Sequence, residues 1–228
     1  MSESVPFLLL FDCDGTLVDS QHLLVSAMSD AYREQGLEPP PREVILSVVG
    51  LSLPETFIAL SRGDPDFPIE TLVTGYKTAF FRLRESHPTE PMFPGVRDAV
   101  EILRGEVDTL LGIATGKSQR GVRRVLEAHA MEGWFSSIQT ADDAPSKPHP
   151  AMVRQAMAEL GGTPPRTLVI GDTSYDMEMA KAAGAWALGV NWGYHTRDEL
   201  VAAGADMLVD APADLVEAVR ALMGRADR

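Results

Sequence analysis

The chain has 228 residues, 45% of them apolar and 23% charged, and a net charge of −13. That length builds one core, or a core with a small inserted domain, and the acidity argues against nucleic acid or an anionic membrane as the main partner. An anionic substrate stays open, because a few local cations and a bound metal can reverse the field inside one cleft. The single cysteine, Cys13, excludes an intrachain disulfide and suits a reducing cytosol.

The first element is the apolar run VPFLLLF at 5–11. It reads as a buried parallel strand, which is apolar on both faces. It has no basic leader and is too short to span a bilayer, and acidic residues follow where a signal peptide would carry a small-residue cleavage site. A soluble, cytoplasmic chain is the expectation. Residues 20–87 then read as wholly helical, with segments at 22–35, 42–49, 54–60 and 69–85 divided by Pro and Gly clusters. An all-helical block after one strand is most simply an inserted domain. Pro88, Pro91 and Pro94-Gly95 mark the return, so the core takes 1–19 and 88–228 and the insertion 20–87.

Beyond it, short apolar runs at 109–114, 137–140, 167–170, 186–190 and 207–209 alternate with segments of helical periodicity at 96–103, 120–129, 151–160 and 176–183. Strands alternating with helices of this length imply βαβ units. The expected fold is α/β: a Rossmann-like parallel sheet core, helices on both faces and a small inserted α-helical domain. Ligands of such sheets sit at the carboxyl ends of the strands.

The unusual polar residues fall at those ends. Asp12-Cys13-Asp14-Gly15-Thr16 follows the first strand, and residues two apart point to the same side, so Asp12 and Asp14 share the cleft while Cys13 turns to the core. Two close carboxylates persist most easily with a cation or a shared proton. Thr115 ends the second strand, and its hydroxyl and the following Gly116 amide suit phosphate oxygens. Lys147 is pinned in Ser146-Lys147-Pro148-His149-Pro150. In Gly171-Asp172-Thr173-Ser174-Tyr175-Asp176, Asp172 ends the fourth strand and Asp176 begins or caps the next helix. With Asp12 and Asp14 these make an oxygen-rich site of the kind Mg²⁺ prefers.

DxDGT, a strand-end Thr, a Lys in KPxP and then GDxxxD is the motif order of the haloacid dehalogenase superfamily, and the chain resembles its phosphoglycolate phosphatase-like branch. The resemblance spans Asp12 to Asp176, includes the helical insertion as a cap, and departs only at Cys13, where an aliphatic residue is usual. It implies Asp12 as the nucleophile and Asp14 as acid and base. It implies Mg²⁺ on Asp12, the Asp14 carbonyl and Asp172, phosphoryl binding by Thr115, Gly116 and Lys147, and Asp176 behind Lys147 or a metal-bound water. A cap closing over the cleft would choose the substrate, with candidate contacts in 48–53 and at Tyr76, Lys77, Arg82 and Arg84.

The implied activity is hydrolysis of a small phosphorylated metabolite, 2-phosphoglycolate first, by a monomer or weak homodimer. A sugar phosphomutase or inorganic pyrophosphatase shares the motifs. Dehalogenases lack the second aspartate that Asp14 supplies, Lys77 sits in no recognisable phosphonatase setting, and a non-catalytic binding protein would be expected to have lost Asp12, Asp14 or Lys147.

Overall fold

The computed structural model describes residues 5–86 and 90–226; Pro88 and the expected 87/88 boundary lie outside the described residues. In chain order the elements are β1 (Phe7–Phe11), α1 (Gln21–Glu34), α2 (Arg42–Leu46), α3 (Leu53–Ser61), α4 (Ile69–Ser86), α5 (Val96–Arg104) and β2 (Thr109–Thr115). There follow α6 (Gln119–Ala128), β3 (Ser137–Thr140), α7 (Ala151–Leu160), β4 (Thr167–Gly171), α8 (Ser174–Ala183), β5 (Trp186–Val190), α9 (Arg197–Ala202), β6 (Met207–Val209) and α10 (Leu215–Ala226).

The six strands form one parallel sheet in the order β3-β2-β1-β4-β5-β6. This is the doubly wound order with β1 at the centre. β1 shows why it is apolar on both faces. Leu9 and Phe11 pack with α5, α6 and α10, and Leu8 and Leu10 pack with α7 and α8 on the other side. Cys13 continues the first of these faces and is fully buried. Each such Leu or Phe contributes about 1.5–3 kcal/mol of transfer free energy, so the centre of the sheet is the rigid platform on which the strand ends are fixed.

Helices α1 to α4 assemble around a third core of their own. Met28 and Tyr32 of α1, Ile45 of α2, Phe57 of α3 and Leu72 and Tyr76 of α4 meet there. Rings step across it, Tyr32 to Phe57 at 6.3 Å and Phe57 to Tyr76 at 6.5 Å. The outgoing and returning chains run side by side. Val18 forms an antiparallel bridge with Met92, the Asp19 amide donates to Pro91 O at 2.8 Å, and the Phe93 amide donates to Leu17 O at 3.2 Å.

Helices α9 and α10 had no counterpart in the sequence reading. α10 nonetheless has the periodicity, with Leu215, Ala218, Val219 and Leu222 on its buried face. The helix expected at 176–183 begins two residues earlier, at Ser174, because Asp176 caps from inside the first turn: its Oδ2 accepts from the Thr173 amide at 3.1 Å and the Thr173 hydroxyl at 2.6 Å. Among the described residues no helix is long and apolar enough to cross a membrane.

Candidate active site

Three strand ends meet at the top of the sheet. Asp12 leaves β1, Thr115 closes β2, and Asp172 follows β4, whose Ile170 carbonyl accepts from the Asp12 amide at 2.9 Å. Asp12 is 1% exposed, and Asp172, Asp176 and Thr115 are equally buried. The turn after β1 closes on itself, with the Leu17 and Val18 amides donating to Cys13 O at 2.9 and 3.0 Å. Gly15 in that turn has φ 88°, and a β-carbon there would overlap the Asp172 carboxylate. The turn therefore needs glycine for its backbone and for the close approach.

Asp172 is held from two sides, by the Thr16 hydroxyl on Oδ1 at 2.8 Å and the Tyr194 amide on Oδ2 at 2.9 Å. Lys147, fully buried, lies 2.8 Å from Asp12 Oδ1 and 2.6 Å from Asp176 Oδ1. Neither oxygen of Asp12 accepts a well-aligned hydrogen bond among the described residues. Carboxylate oxygens of Asp12, Asp172 and Asp176 come within 4.8 Å of one another.

Three carboxylates against one ammonium leave the cluster short of positive charge, and its donors are all oxygen. Both properties fit a hard cation, and the unaligned Asp12 carboxylate is the natural place for it. Asp14 stands apart from this trio. Its carboxylate faces Lys117, whose ammonium donates to Oδ1 at 2.7 Å and Oδ2 at 3.0 Å.

Electrostatics follow from burial. Desolvation pushes Asp12 up from 3.8 to about 6, with Lys147 opposing the rise and Asp176 adding to it. Asp172 is raised as well, first by burial and then by the charges of Asp12 and Asp176. Burial disfavours the charge of Lys147 and Lys117 too, but it is outweighed by Asp12 and Asp176 in the first case and by Asp14 and other neighbours in the second, so both lie above an ordinary lysine.

A carboxylate raised in the folded state costs stability as it ionises. The cost is absent below 3.8, the unfolded value, and complete above about 6. In chelator-treated protein, the melting temperature of Asp12→Asn relative to wild type is expected to rise by at least about 3 °C between pH 4 and pH 7. A difference that stays flat across that range would show that Asp12 carries no such penalty.

Above the cluster lies a cavity of about 540 Å³ between the sheet and helices α1 to α4. Such a volume is in the range of small-molecule sites. Asp12, Asp14, Thr115, Gly116 and Lys117 form its floor, while residues 48–53, Tyr76, Lys77, Phe80 and Arg84 form its roof. A β-carbon on Gly116 would sit 2.5 Å from Gly50 O, so the two layers touch at that point through backbone.

Other ties between the layers are the Ser52 amide to Ser146 Oγ at 2.8 Å and the Tyr175 hydroxyl to Ser47 O at 3.0 Å. His195 accepts from the Ser174 amide through Nδ1, which assigns its proton to Nε2, 3.2 Å from Ser47 O.

Of the residues picked out in the sequence for the cavity roof, Arg82 is elsewhere, paired with Asp30 and Glu34 at 2.9 and 3.1 Å within the helical layer. Arg120 lines the cavity; Gln21 is engaged by Asp19 and Arg42, and His22 does not reach it. Trp186 and Trp192 anchor loops through Pro165 O and Thr16 O, and Trp134 lies under Arg97 and Arg104. Sequence reasoning gave no role to Thr16, Lys117, Tyr194 or Glu90. Thr16 and Lys117 carried a signal, the first as the end of DxDGT and the second by its place two residues after the strand-end threonine; Tyr194 and Glu90 carried none.

A doubly wound sheet with paired aspartates after its first strand, a threonine after the second and a lysine-braced acidic cluster beside them defines an enzyme of the phosphoryl-transfer type. A model of the haloacid dehalogenase-like hydrolase family matches residues 9–190. The chain belongs to that family.

Among its relatives, a probable phosphatase, IndB, from Dickeya dadantii is 37% identical over 95% of this chain and 94% of its own. A pyrophosphatase, PpaX, from Bacillus pumilus is 31% identical over 97% of this chain and 100% of its own. A phosphoglycolate phosphatase from Pseudomonas putida is 31% identical over 98% of this chain and 81% of its own.

Proposed function

We propose that the chain is a Mg²⁺-dependent phosphatase that hydrolyses a small phosphorylated metabolite through an aspartyl phosphate on Asp12. The observation that carries this reading is the Asp12 carboxylate itself: buried at the cavity floor, beside a lysine, with neither oxygen committed to an aligned hydrogen bond. An Asp12 oxygen attacks phosphorus and forms the new O–P bond as the ester P–O bond breaks. Asp14 gives its proton to the leaving alkoxide. It then takes a proton from the water that attacks the phosphoaspartate, which releases inorganic phosphate and restores Asp12.

Thr115, the Gly116 amide and Lys147 hold the phosphoryl oxygens, where negative charge is carried in the transition state. Asp12, the Asp14 backbone carbonyl and Asp172 are the Mg²⁺ ligands in this reading, and Asp176 steadies Lys147. The bound cation supplies charge neutralisation between the carboxylates and the phosphoryl group. The helical layer at 20–86 serves as the cap, excluding bulk water and selecting the substrate.

The relatives named phosphoglycolate phosphatase and pyrophosphatase make 2-phosphoglycolate the first substrate to try and pyrophosphate the second. A sugar phosphomutase would share every core residue named here. The cavity has room for a larger alcohol than glycolate, so bulkier esters belong beside them. Phosphate release from such a panel with Mg²⁺, against a chelator control, is the test. Turnover of at least one ester only with the metal is the expected result. No turnover of any ester by folded, metal-loaded protein would overturn the reading.

A further inference from the structure

A chain of alternating charges crosses from the helical layer to the cavity floor, and the reaction just described uses only its last member. Arg84 of α4 lies 3.4 Å from Glu90 Oε2, and Glu90 Oε1 lies 3.6 Å from Lys117 Nζ. Lys117 in turn grips both oxygens of Asp14, at 2.7 and 3.0 Å. The four side chains are between 4% and 12% exposed. They come from four places: the end of α4, the return to the core, the loop after β2 and the turn after β1.

Phe80 fills the space between the cations, its ring 5.5 Å from the Arg84 guanidinium and 5.9 Å from Lys117 Nζ. The stem of Lys117 crosses Gly121 of α6, where a β-carbon would come within 2.7 Å of Lys117 Cγ. The helix therefore leaves open the groove that the lysine stem occupies. A solvated surface lysine has none of these features.

Lys117 is also the only hydrogen-bond donor to the Asp14 carboxylate among the described residues. The last torsion of an aspartate is soft, so a carboxylate without partners samples many orientations. A proton donor displaced by about 1 Å can cost on the order of 10²-fold in rate.

We propose that Lys117 is a positioning residue, which fixes the Asp14 carboxylate in the orientation from which it serves the leaving-group oxygen, with Glu90 and Arg84 holding Lys117 in place. This rests on the reading of Asp14 as the acid. Cap and acid are thereby joined through side chains as well as through the backbone: the pairing that orients Asp14 includes a residue of α4.

The experiment compares kcat/KM, which reports the first phosphoryl transfer, for the best alkyl phosphate of the panel and for p-nitrophenyl phosphate. An alkoxide leaving group needs the proton of Asp14, whereas p-nitrophenolate leaves with little help. Lys117→Met is expected to lower kcat/KM at least ~100-fold for the alkyl ester and less than ~10-fold for the aryl ester. Lys117→Arg is expected to recover the alkyl ester to within ~10-fold of wild type, and Glu90→Gln to show the same asymmetry at about a tenth of the size.

Equal losses on both esters would overturn the proposal and make Lys117 a plain binding or packing residue. Asp14→Asn separates the two levels: if it shows the asymmetry and Lys117→Met does not, only the positioning role falls. If Asp14→Asn shows none, the acid assignment falls with it. Should Lys117→Met not fold, Lys117→Gln is read by the same criterion.

Discussion

Replacing Asp12 with asparagine is expected to lower phosphate release by at least about 10⁴-fold while leaving the fold intact. The substitution keeps the shape of a side chain that is 1% exposed and removes only its negative charge. Because burial already penalises that charge, the variant should melt no lower than wild type in the absence of metal, which separates a chemical defect from an unfolded protein. Acid quenching with ³²P-labelled substrate gives the direct readout: label on wild-type protein and none on Asp12→Asn. Residual activity within tenfold of wild type would remove Asp12 from the chemistry.

The second large effect is on stability. Among the described residues Lys147 is the single cation beside Asp12, Asp172 and Asp176, and its side chain is 0% exposed. Lys147→Met keeps much of the stem but leaves buried carboxylates facing one another. Breaking a buried pair in this way costs about 3–5 kcal/mol, or a fall of roughly 6–20 °C in melting temperature for a domain of this size. Asp176→Asn added to Lys147→Met should recover part of the loss, because it removes one of the facing charges, and Mg²⁺ should recover part of it by replacing the missing cation. A fall of less than about 2 °C in chelator-treated protein would mean that the cluster does not depend on its lysine. Activity should drop on the order of 10²–10³-fold as well, since in the proposed reading Lys147 holds a phosphoryl oxygen.

Much of this arrangement was legible in the chain because local chemistry determines it. Strands buried on both faces are apolar throughout, so the runs in the chain marked them. β3, β5 and β6 could be delimited to the residue, although β3 itself is largely polar, β2 and β4 to within one, and β1 at its carboxyl end, its start lying two residues later than read. The aspartates and the threonine stand out by their order at successive strand ends, since any one of them alone could be an ordinary helix cap or turn residue.

The limits were physical too. Asp176 reads in the chain as beginning or capping a helix; it caps, its side chain reaching back to Thr173 from inside the first turn, so the helix begins before it. Arg82 and Arg84 are two apart on one helix, so they point to different sides: one binds Asp30 and Glu34, the other lines the cavity beside Glu90. No local pattern says which side faces the sheet. Lys117 and Asp14 are 103 positions apart, and Thr16 and Asp172 are 156 apart. Pairings of that kind exist only after the strands have ordered themselves.

The paired crossing at Val18 and Met92 has a consequence for how such a molecule changes over time. Since the two chains that leave and re-enter the sheet are already hydrogen-bonded to each other, the platform meets the four helices as one long excursion whose ends are tied together. Closing a loop costs free energy only with the logarithm of its length, and tied ends make that cost nearly independent of what lies between them. Changes of length or sequence between those two points therefore cost the platform little backbone free energy, so long as the contact of Arg84 with Glu90 is kept. In the proposed reading, the helical layer can thus drift toward new alcohols while Asp12 and Asp14 stay put at the strand end.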